Sequence, residues 1–268
     1  MKRADHQRKE HGFSLIEMMI AAVIFMLLCG AAFGLLSVAQ QRYQTESQVL
    51  NSFQEARFGL DEIVRDVNGS GYPPLNQFSI GPPPPPEASY AITPVAWSTG
   101  YPNSPCQIGT CTTPGDFDLI IERDVDPWRH DGVEWTRYQL QTPANILSRS
   151  QTYKVGGGAD PDGTTQISFV PYVQNVMNNA SPVQIAQFQA SYPNMFPGGN
   201  PVPVFSYTCY TPYGPQPCAS AGSYNSPMNV TDIEITLIVM APTKDAQTGQ
   251  PRIIELHGRG HSLNPVQH

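Results

Sequence analysis

Charged residues are scarce in this chain of 268 residues. Only 14% are Asp, Glu, Lys or Arg, and 15 basic against 22 acidic side chains give a formal net charge of −7. From Gly69 onward the basic residues stand singly, with no basic run and no interleaved aromatic residues. A surface that binds nucleic acid needs a basic patch, so neither DNA nor RNA is an expected partner.

Catalytic and cofactor motifs are also missing. There is no G-x-S-x-G nucleophile elbow and no phosphate-binding glycine loop. His257 and His261 are four residues apart, but the two glycines between them and a strand-like context exclude the helical geometry of an HExxH zinc site. The acidic residues do not match a D-x-[DN]-x-[DN]-G calcium loop, so we interpret them as solvated turn carboxylates. They are Glu122, Asp124, Asp126, Asp131 and Glu134, with Asp160 and Asp162 later. The sequence predicts no enzyme, cofactor or metal site.

Cysteines are few, at five. Cys29 lies in an apolar run, which leaves Cys106, Cys111, Cys209 and Cys218 for the rest of the chain. Their spacings do not suit zinc, whereas an even number of cysteines is typical of disulfides in an oxidising compartment. Three connectivities are possible, and the short separations favour two local bridges, 106–111 and 209–218.

Charge is absent altogether from the nineteen residues Met18–Leu36. With Phe13–Ile16 added, this run is long enough to cross most of a bilayer as a helix. Of the basic residues, only Arg42 follows within the next twenty residues, whereas four precede the run. This asymmetry predicts a cytoplasmic N-terminus and an exported remainder. The four basic residues are Lys2, Arg3, Arg8 and Lys9.

An acid, Glu17, stands at the edge of this apolar run. A secretory signal peptide cut after Ser37-Val38-Ala39 would have too long an apolar core. A plain membrane anchor gives no reason for Gly12 or for the acid. A capping box, Ser14-x-x-Glu17, explains the acid as part of a helix start, where the helix dipole also favours it.

The stretch Gly12-Phe13-Ser14-Leu15-Ile16-Glu17 closely resembles the type III signal of type IV pilins and type II secretion pseudopilins. In that family a glycine precedes the cut, a phenylalanine becomes the N-methylated first residue, and the fifth mature residue is a glutamate. The resemblance implies cleavage by prepilin peptidase between Gly12 and Phe13, N-methylation of Phe13, and a filament-assembly role for Glu17. It also implies as partners other major and minor pilins and an inner-membrane assembly platform.

Helical periodicity continues beyond the apolar run. A stripe with steps of three and four predicts a helix laid on a globular domain: Val49, Phe53, Ala56, Leu60, Ile63 and Val67. We expect the opposite face to be solvated, with Asp61 and Arg65 paired; it comprises Glu55, Asp61, Glu62, Arg65 and Asp66. Gly69-Ser70-Gly71-Tyr72-Pro73-Pro74 should end the helix, and Pro82–Pro86 should be extended polyproline II, most simply as a stiff spacer.

The remaining chain alternates strand patterns with Pro- and Gly-rich turns. The predicted strands are Asp116–Glu122, Val133–Leu140, Gln166–Val173, Val183–Tyr192, Val202–Tyr210, Val230–Met240 and Arg252–Ser262. Because turns rather than helices separate them, we expect antiparallel pairing. The predicted fold class is α+β, a long N-terminal helix packed on an antiparallel β-sheet domain with Pro/Gly-rich loops.

Weaker similarities point to PilW-type minor pilins. They are Ala56-Arg57, Ile63-Val64-Arg65-Asp66 before Gly71-Tyr72, Phe117-Asp118-Leu119-Ile120 and Ile233-Glu234-Ile235-Thr236-Leu237. The chain departs from that group near its end, where Arg259-Gly260-His261 replaces the usual Arg-Asn close of the last strand.

The resemblance implies a minor pilin that is inserted in the inner membrane, processed, and incorporated at the base or tip of a type IV pilus to prime assembly. A J-like minor pseudopilin of type II secretion is the alternative, and a membrane-anchored exported adhesin or enzyme is a further one. The expected organisation is a leader (1–12), a transmembrane and assembly helix (13–36), an amphipathic extension (37–68) and a periplasmic β-rich domain (69–268).

Overall fold

A single helix, α1, runs over Leu15–Asn68 in the computed structural model of the protein. The structure describes residues 14–77, 86, 89–96, 115–129, 132–154, 168–245 and 249–263. The chain forms two compact units, Met1–Ser47 and Gln48–His268. The predicted polyproline tract lies almost wholly outside the described residues.

The part of α1 in the first unit presents apolar side chains that no other described residue covers. Its large hydrophobic residues from Leu15 to Val38 are each at least half exposed. The helix contains an 18-residue window with a mean hydropathy of 2.6, and it is long and apolar enough to cross a membrane. Water is an unfavourable solvent for so long an uncovered apolar surface, which favours lipid or other helices around it.

In the second unit the predicted stripe of α1 is confirmed. Val49, Ala56, Leu60, Ile63 and Val67 are buried, and Phe53 is half-buried against the same core. Helical period places these residues along one side of α1, and their burial against the sheets fixes the helix on the domain.

Two antiparallel sheets complete the second unit, so the predicted α+β class is confirmed. The first has the order β1-β2-β3-β4-β5, with Val95–Ala96, Asp118–Arg123, Glu134–Gln141, Ile146–Tyr153 and Val170–Val173. The second has the order β7-β6-β8-β9, with Phe205–Cys209 (β6), Gln216–Pro217 (β7), Val230–Lys244 (β8) and Pro251–His261 (β9). The segment that follows β5 pairs with the second sheet, where Met177 N–H donates to Ile238 O and a bridge joins Val176 to Val239.

The prediction of a strand over Val183–Tyr192 is wrong, because Pro182–Ser191 forms a helix, α2. Ser181 caps it: its hydroxyl accepts from Gln184 N–H, and the Gln184 side chain accepts in return from Ser181 N–H. The alternation of Val183 and Ile185 suggested a strand, yet Val183 is exposed while Ile185 and Phe188 are buried three apart. A capping box with proline at the first helical turn outweighs a short apolar alternation.

Two glycines on β9 let α1 approach its sheet closely. A Cβ at Gly258 would lie 2.8 Å from both Leu60 Cδ1 and Val64 Cγ2. A Cβ at Gly260 would overlap the side chain of Val67. Any larger residue at these positions would push the helix away from the sheet, since protein cores are already close-packed.

Gly260→Ala is therefore expected to lower the free energy of unfolding by about 1–3 kcal/mol through overpacking. Arg259→Ala, on the opposite and exposed face of the same strand, is the matched control and should cost much less. Urea denaturation of the detergent-solubilised chain, followed by tryptophan fluorescence, measures both. An equal decrease in the free energy of unfolding in both variants would show that the close helix–sheet contact does not make Gly260 specifically necessary for stability.

Candidate functional site

The start of α1 carries the residues that the sequence singles out for assembly. Ser14 precedes the helix, and its backbone N–H donates to Glu17 Oε2 at 2.9 Å. This contact is one half of the capping box considered from the sequence. Gly12 and Phe13 lie outside the described residues, so their roles stay predictions.

Glu17 is exposed and stands at the head of the uncovered apolar surface of α1. In water an exposed carboxylate at a helix N-terminus is well solvated and favoured by the dipole. If lipid or neighbouring helices cover that surface, the same carboxylate loses water and needs a cationic or hydrogen-bonding partner. Glu17 is the only charged residue on the helix from Leu15 to Gln41, so it would be a single anionic group within any such apolar surrounding.

A family model described as the prokaryotic N-terminal methylation motif matches residues 7–33. The match covers the expected cleavage position, Glu17 and most of the uncharged run. The N-terminal segment is prepilin-like. The match supports a type IV pilin-like or pseudopilin-like protein, processed by prepilin peptidase and assembled with other pilins. Neither a curated protein nor a solved structure matches the chain.

A buried cluster around Asp66 fastens the C-terminal end of α1 to the first sheet. Asp66 was predicted to be solvated, and that prediction is wrong: its side chain is fully buried. Tyr138 on β3 donates to Asp66 Oδ2 at 2.6 Å, and Arg123 Nη2 on β2 lies 2.7 Å from Asp66 Oδ1. Arg149 on β4 approaches within 3.4 Å of Oδ2. Arg65 pairs with Glu62 instead of Asp61.

The hydroxyl of Tyr138 stays protonated in this cluster. Burial and then the adjacent Asp66 carboxylate raise its pKa far above the ordinary value of tyrosine. Tyr172 behaves similarly, since burial and the neighbouring Glu62 raise its pKa. A protonated hydroxyl can donate to Asp66, whose other carboxylate oxygen faces Arg123 Nη2, whereas Arg123 Nε is buried with no hydrogen-bond partner among the described residues.

A second buried charge cluster corrects the interpretation of the acidic residues. Glu122, expected to be a solvated turn carboxylate, is fully buried, and its Oε1 lies 2.9 Å from the equally buried Lys154 Nζ. Trp135 Nε1–H donates to the same oxygen at 3.0 Å. The backbone N–H groups of Ile92 and Thr93 donate to Oε2. This cluster holds the segment before β1 against the first sheet and leaves Glu122 no free oxygen for a ligand.

Glu134 is also buried and accepts from Val125 N–H at 3.1 Å. Asp126 is half-buried and pairs with Arg129 at 3.1 Å, whereas Asp131, Asp160 and Asp162 lie outside the described residues. Within the described ranges, no group of three His, Cys, Asp or Glu side chains could hold a metal ion.

The two histidines of β9 lie on its exposed face. His261 Nδ1 is 3.1 Å from Asp232 Oδ1, and Arg259 Nη2 is 3.0 Å from the same atom. Burial alone would raise the pKa of Asp232, but hydrogen bonds from His261 and Thr231 and the charge of Arg259 lower it below the ordinary value. His261 therefore belongs to a surface cluster around Asp232, whereas His257 Nε2 lies 3.4 Å from Glu255 Oε1 and its Nδ1 lies 3.2 Å from Thr236 Oγ1.

Cys209 and Cys218 form a disulfide with a Cα–Cα distance of 4.8 Å. Cys29 is a free thiol on α1. Cys106 and Cys111 lie outside the residues that the structure describes, and their pairing stays a prediction.

Proposed function

We propose that the chain is a minor pilin, a structural subunit that prepilin peptidase cleaves and N-methylates before it joins the base or tip of a type IV pilus. The observation that carries this proposal is the methylation motif at residues 7–33, placed at the start of a long apolar helix. A pilin-type motif favours a structural role over an enzymatic one.

The assignment to PilW-type minor pilins rests on the short similarities in the helix and in β2 and β8. A J-like pseudopilin of type II secretion is the second candidate, because pilins and pseudopilins share the N-terminal signal. The exported part, with about 200 residues and Pro-rich insertions, is larger than that component usually needs, which favours the pilus. A set of pilin-like genes next to this one would support the assignment as a minor pilin. A neighbouring type II secretion operon would support the assignment as a pseudopilin.

The proposed organisation has a leader at 1–12, a membrane and assembly helix at 13–36, its amphipathic extension at 37–68 and a periplasmic domain at 69–268. The basic residues before the apolar run favour a cytoplasmic N-terminus in the inner membrane. From there the subunit passes into a pilus or pseudopilus, with prepilin peptidase, other pilins and the assembly platform as partners.

Gly12→Val is expected to leave the leader attached. A catalytic cleft that must close around the backbone favours glycine, which has no Cβ, and a β-branched residue would obstruct it. Intact-mass analysis of the membrane-bound protein should give a mature wild-type chain that begins with N-methylated Phe13 and a full-length variant.

Gln7→Val, in the leader but away from the cut, is the control and should be processed normally. An uncut wild-type chain, or a mature N-terminus at Gln40, would contradict the proposal. The second outcome would instead indicate a secretory signal peptide.

A further inference from the structure

The acidic residues that follow β2 line a cavity at one end of the first sheet, which we call the acidic cavity. It has a volume of about 260 Å³ and lies between the loop after β2, the start of β3 and the end of β4. A cavity of this volume holds several water molecules, so it has room for a small polar group of a ligand. Its polar lining residues are Asp124, Asp126, Arg129, Glu134, Gln151 and Tyr153.

Strand register brings the lining residues of β3 and β4 to the same side of the sheet. Glu134 lies directly opposite Tyr153 in the β3–β4 pair, so their side chains are neighbours on one face. Gln151 is two residues before Tyr153 on β4 and shares that face. The loop after β2 is held on β3, because Val125 N–H donates to Glu134 Oε2 at 3.1 Å. The cavity is therefore built from three elements whose relative positions are fixed.

Glu134 is the buried group of the acidic cavity, with only 5% of its surface exposed. Val125 N–H contacts one carboxylate oxygen, and the other, Oε1, has no hydrogen-bond partner among the described residues. Arg129 also lines the cavity, but it pairs with Asp126 instead of Glu134. A buried carboxylate without a counter-charge has lost hydration that nothing replaces, which is costly. A cation that enters the cavity would compensate this loss.

The lining residues indicate which kind of cation fits. Three carboxylates against one arginine make the cavity acidic, yet no group of three His, Cys, Asp or Glu side chains in the described ranges could hold a metal ion. A guanidinium group has five N–H donors in one plane, and it is more weakly hydrated than an ammonium, which suits a partly buried carboxylate. Tyr153, 51% exposed, supplies a ring on which this plane can stack.

We propose that the acidic cavity binds a guanidinium group, which belongs either to a small guanidine or to an arginine side chain of a partner protein. Glu134 Oε1 is the buried acceptor, and Asp124 and Asp126 add negative charge on the side of the loop. Binding of this kind does not use the N-terminal helix. It goes beyond a minor-pilin role, and its failure would leave that role untouched.

The test is isothermal titration calorimetry of the full-length chain in micelles of an uncharged detergent. The probes are butylguanidinium, butylammonium with the same stem, and an acetylated and amidated Gly-Arg-Gly peptide. We expect saturable binding of butylguanidinium, weaker binding of butylammonium, and a loss of affinity between about 0.05 and 0.5 M salt, because salt screens partly exposed charges. Tighter binding of the peptide than of butylguanidinium would identify an arginine side chain as the source, and the reverse order a small guanidine.

Glu134→Gln should weaken the binding of butylguanidinium about tenfold or more, since it removes the buried charge and keeps an oxygen for Val125 N–H. Arg129→Gln should act in the opposite direction and tighten binding about two- to fivefold, because a competing guanidinium is lost. Arg129 is exposed, so its variant tests the proposal even if Glu134→Gln fails to fold. Glu234→Gln, at an exposed glutamate of β8, is the matched control and should bind as the wild type does.

Absence of saturable binding of both guanidinium probes would overturn the proposal. So would butylammonium binding as tight as that of butylguanidinium, or unchanged binding in a folded Glu134→Gln variant. Weaker binding in Arg129→Gln would also overturn it, because the arginine would then be part of the binding site and not a competitor.

Discussion

Asp66→Ala is expected to lower the free energy of unfolding of the unit Gln48–His268 by about 3–5 kcal/mol, because breaking a buried ion pair leaves its partners uncompensated. Arg123 and Arg149 are largely buried, and both would lose their carboxylate. Tyr138, fully buried, would lose the acceptor of its hydroxyl at 2.6 Å. The same change removes the polar link between α1 and strands β2, β3 and β4.

Asp61→Ala is the matched control, since Asp61 is an exposed aspartate one and a half turns earlier on the same helix. It should change stability little. Asp66→Asn separates shape from charge: the amide can still accept from Tyr138 but cannot neutralise two guanidinium groups. Urea denaturation of the full chain measures all three variants. A loss for Asp66→Ala no larger than that for Asp61→Ala would show that the cluster is energetically neutral.

The sequence predicted those features of the fold that depend on neighbours along the chain. The stripe from Val49 to Val67 was visible because helical burial repeats every three to four residues. Asp66 was missed for the same reason, since position along the helix suggested solvent. Its partners are remote: Tyr138 is 72 residues away. A buried charge cluster assembled from four elements leaves no local pattern in the sequence.

In the candidate site, too, residues with a local sequence signal were predicted, and residues whose environment depends on remote partners were not. The signal around Gly12 and Glu17 is contiguous, so it could be read directly, and the match at residues 7–33 supports it. Glu122 is the opposite case. It was interpreted as a turn carboxylate from its acidic neighbours, but it is buried against Lys154, the residue directly after β4. Strand pairing decides which carboxylates are buried, and the sequence analysis did not predict β4 as a strand.

Glu17→Ala is expected to be cleaved normally, to remain in the membrane and to fail to enter filaments. Glu17 is four positions after Phe13, so in a continuous helix the two share a face. Once the leader is removed, Phe13 presents an ammonium at the membrane edge, where Glu17 of a neighbouring subunit can meet it. A mismatched axial position leaves the carboxylate unpaired among apolar helices at a cost of several kcal/mol. One charge pair would thus fix the axial register of neighbouring helices, which apolar contacts alone leave undefined.

Glu17→Gln distinguishes this role from helix capping. The glutamine oxygen can still accept from Ser14 N–H, as Glu17 Oε2 does at 2.9 Å, because glutamate and glutamine serve equally in a capping box. Glutamine cannot pair with an ammonium as an anion. If charge sets the register, both Glu17→Gln and Glu17→Ala should reduce the amount in sheared filaments by about 100-fold, the equivalent of about 2.8 kcal/mol. Filament entry of Glu17→Gln at the wild-type level, with Glu17→Ala excluded, would assign the residue to the cap. Entry of both variants at the wild-type level would show that Glu17 has no role in filament assembly.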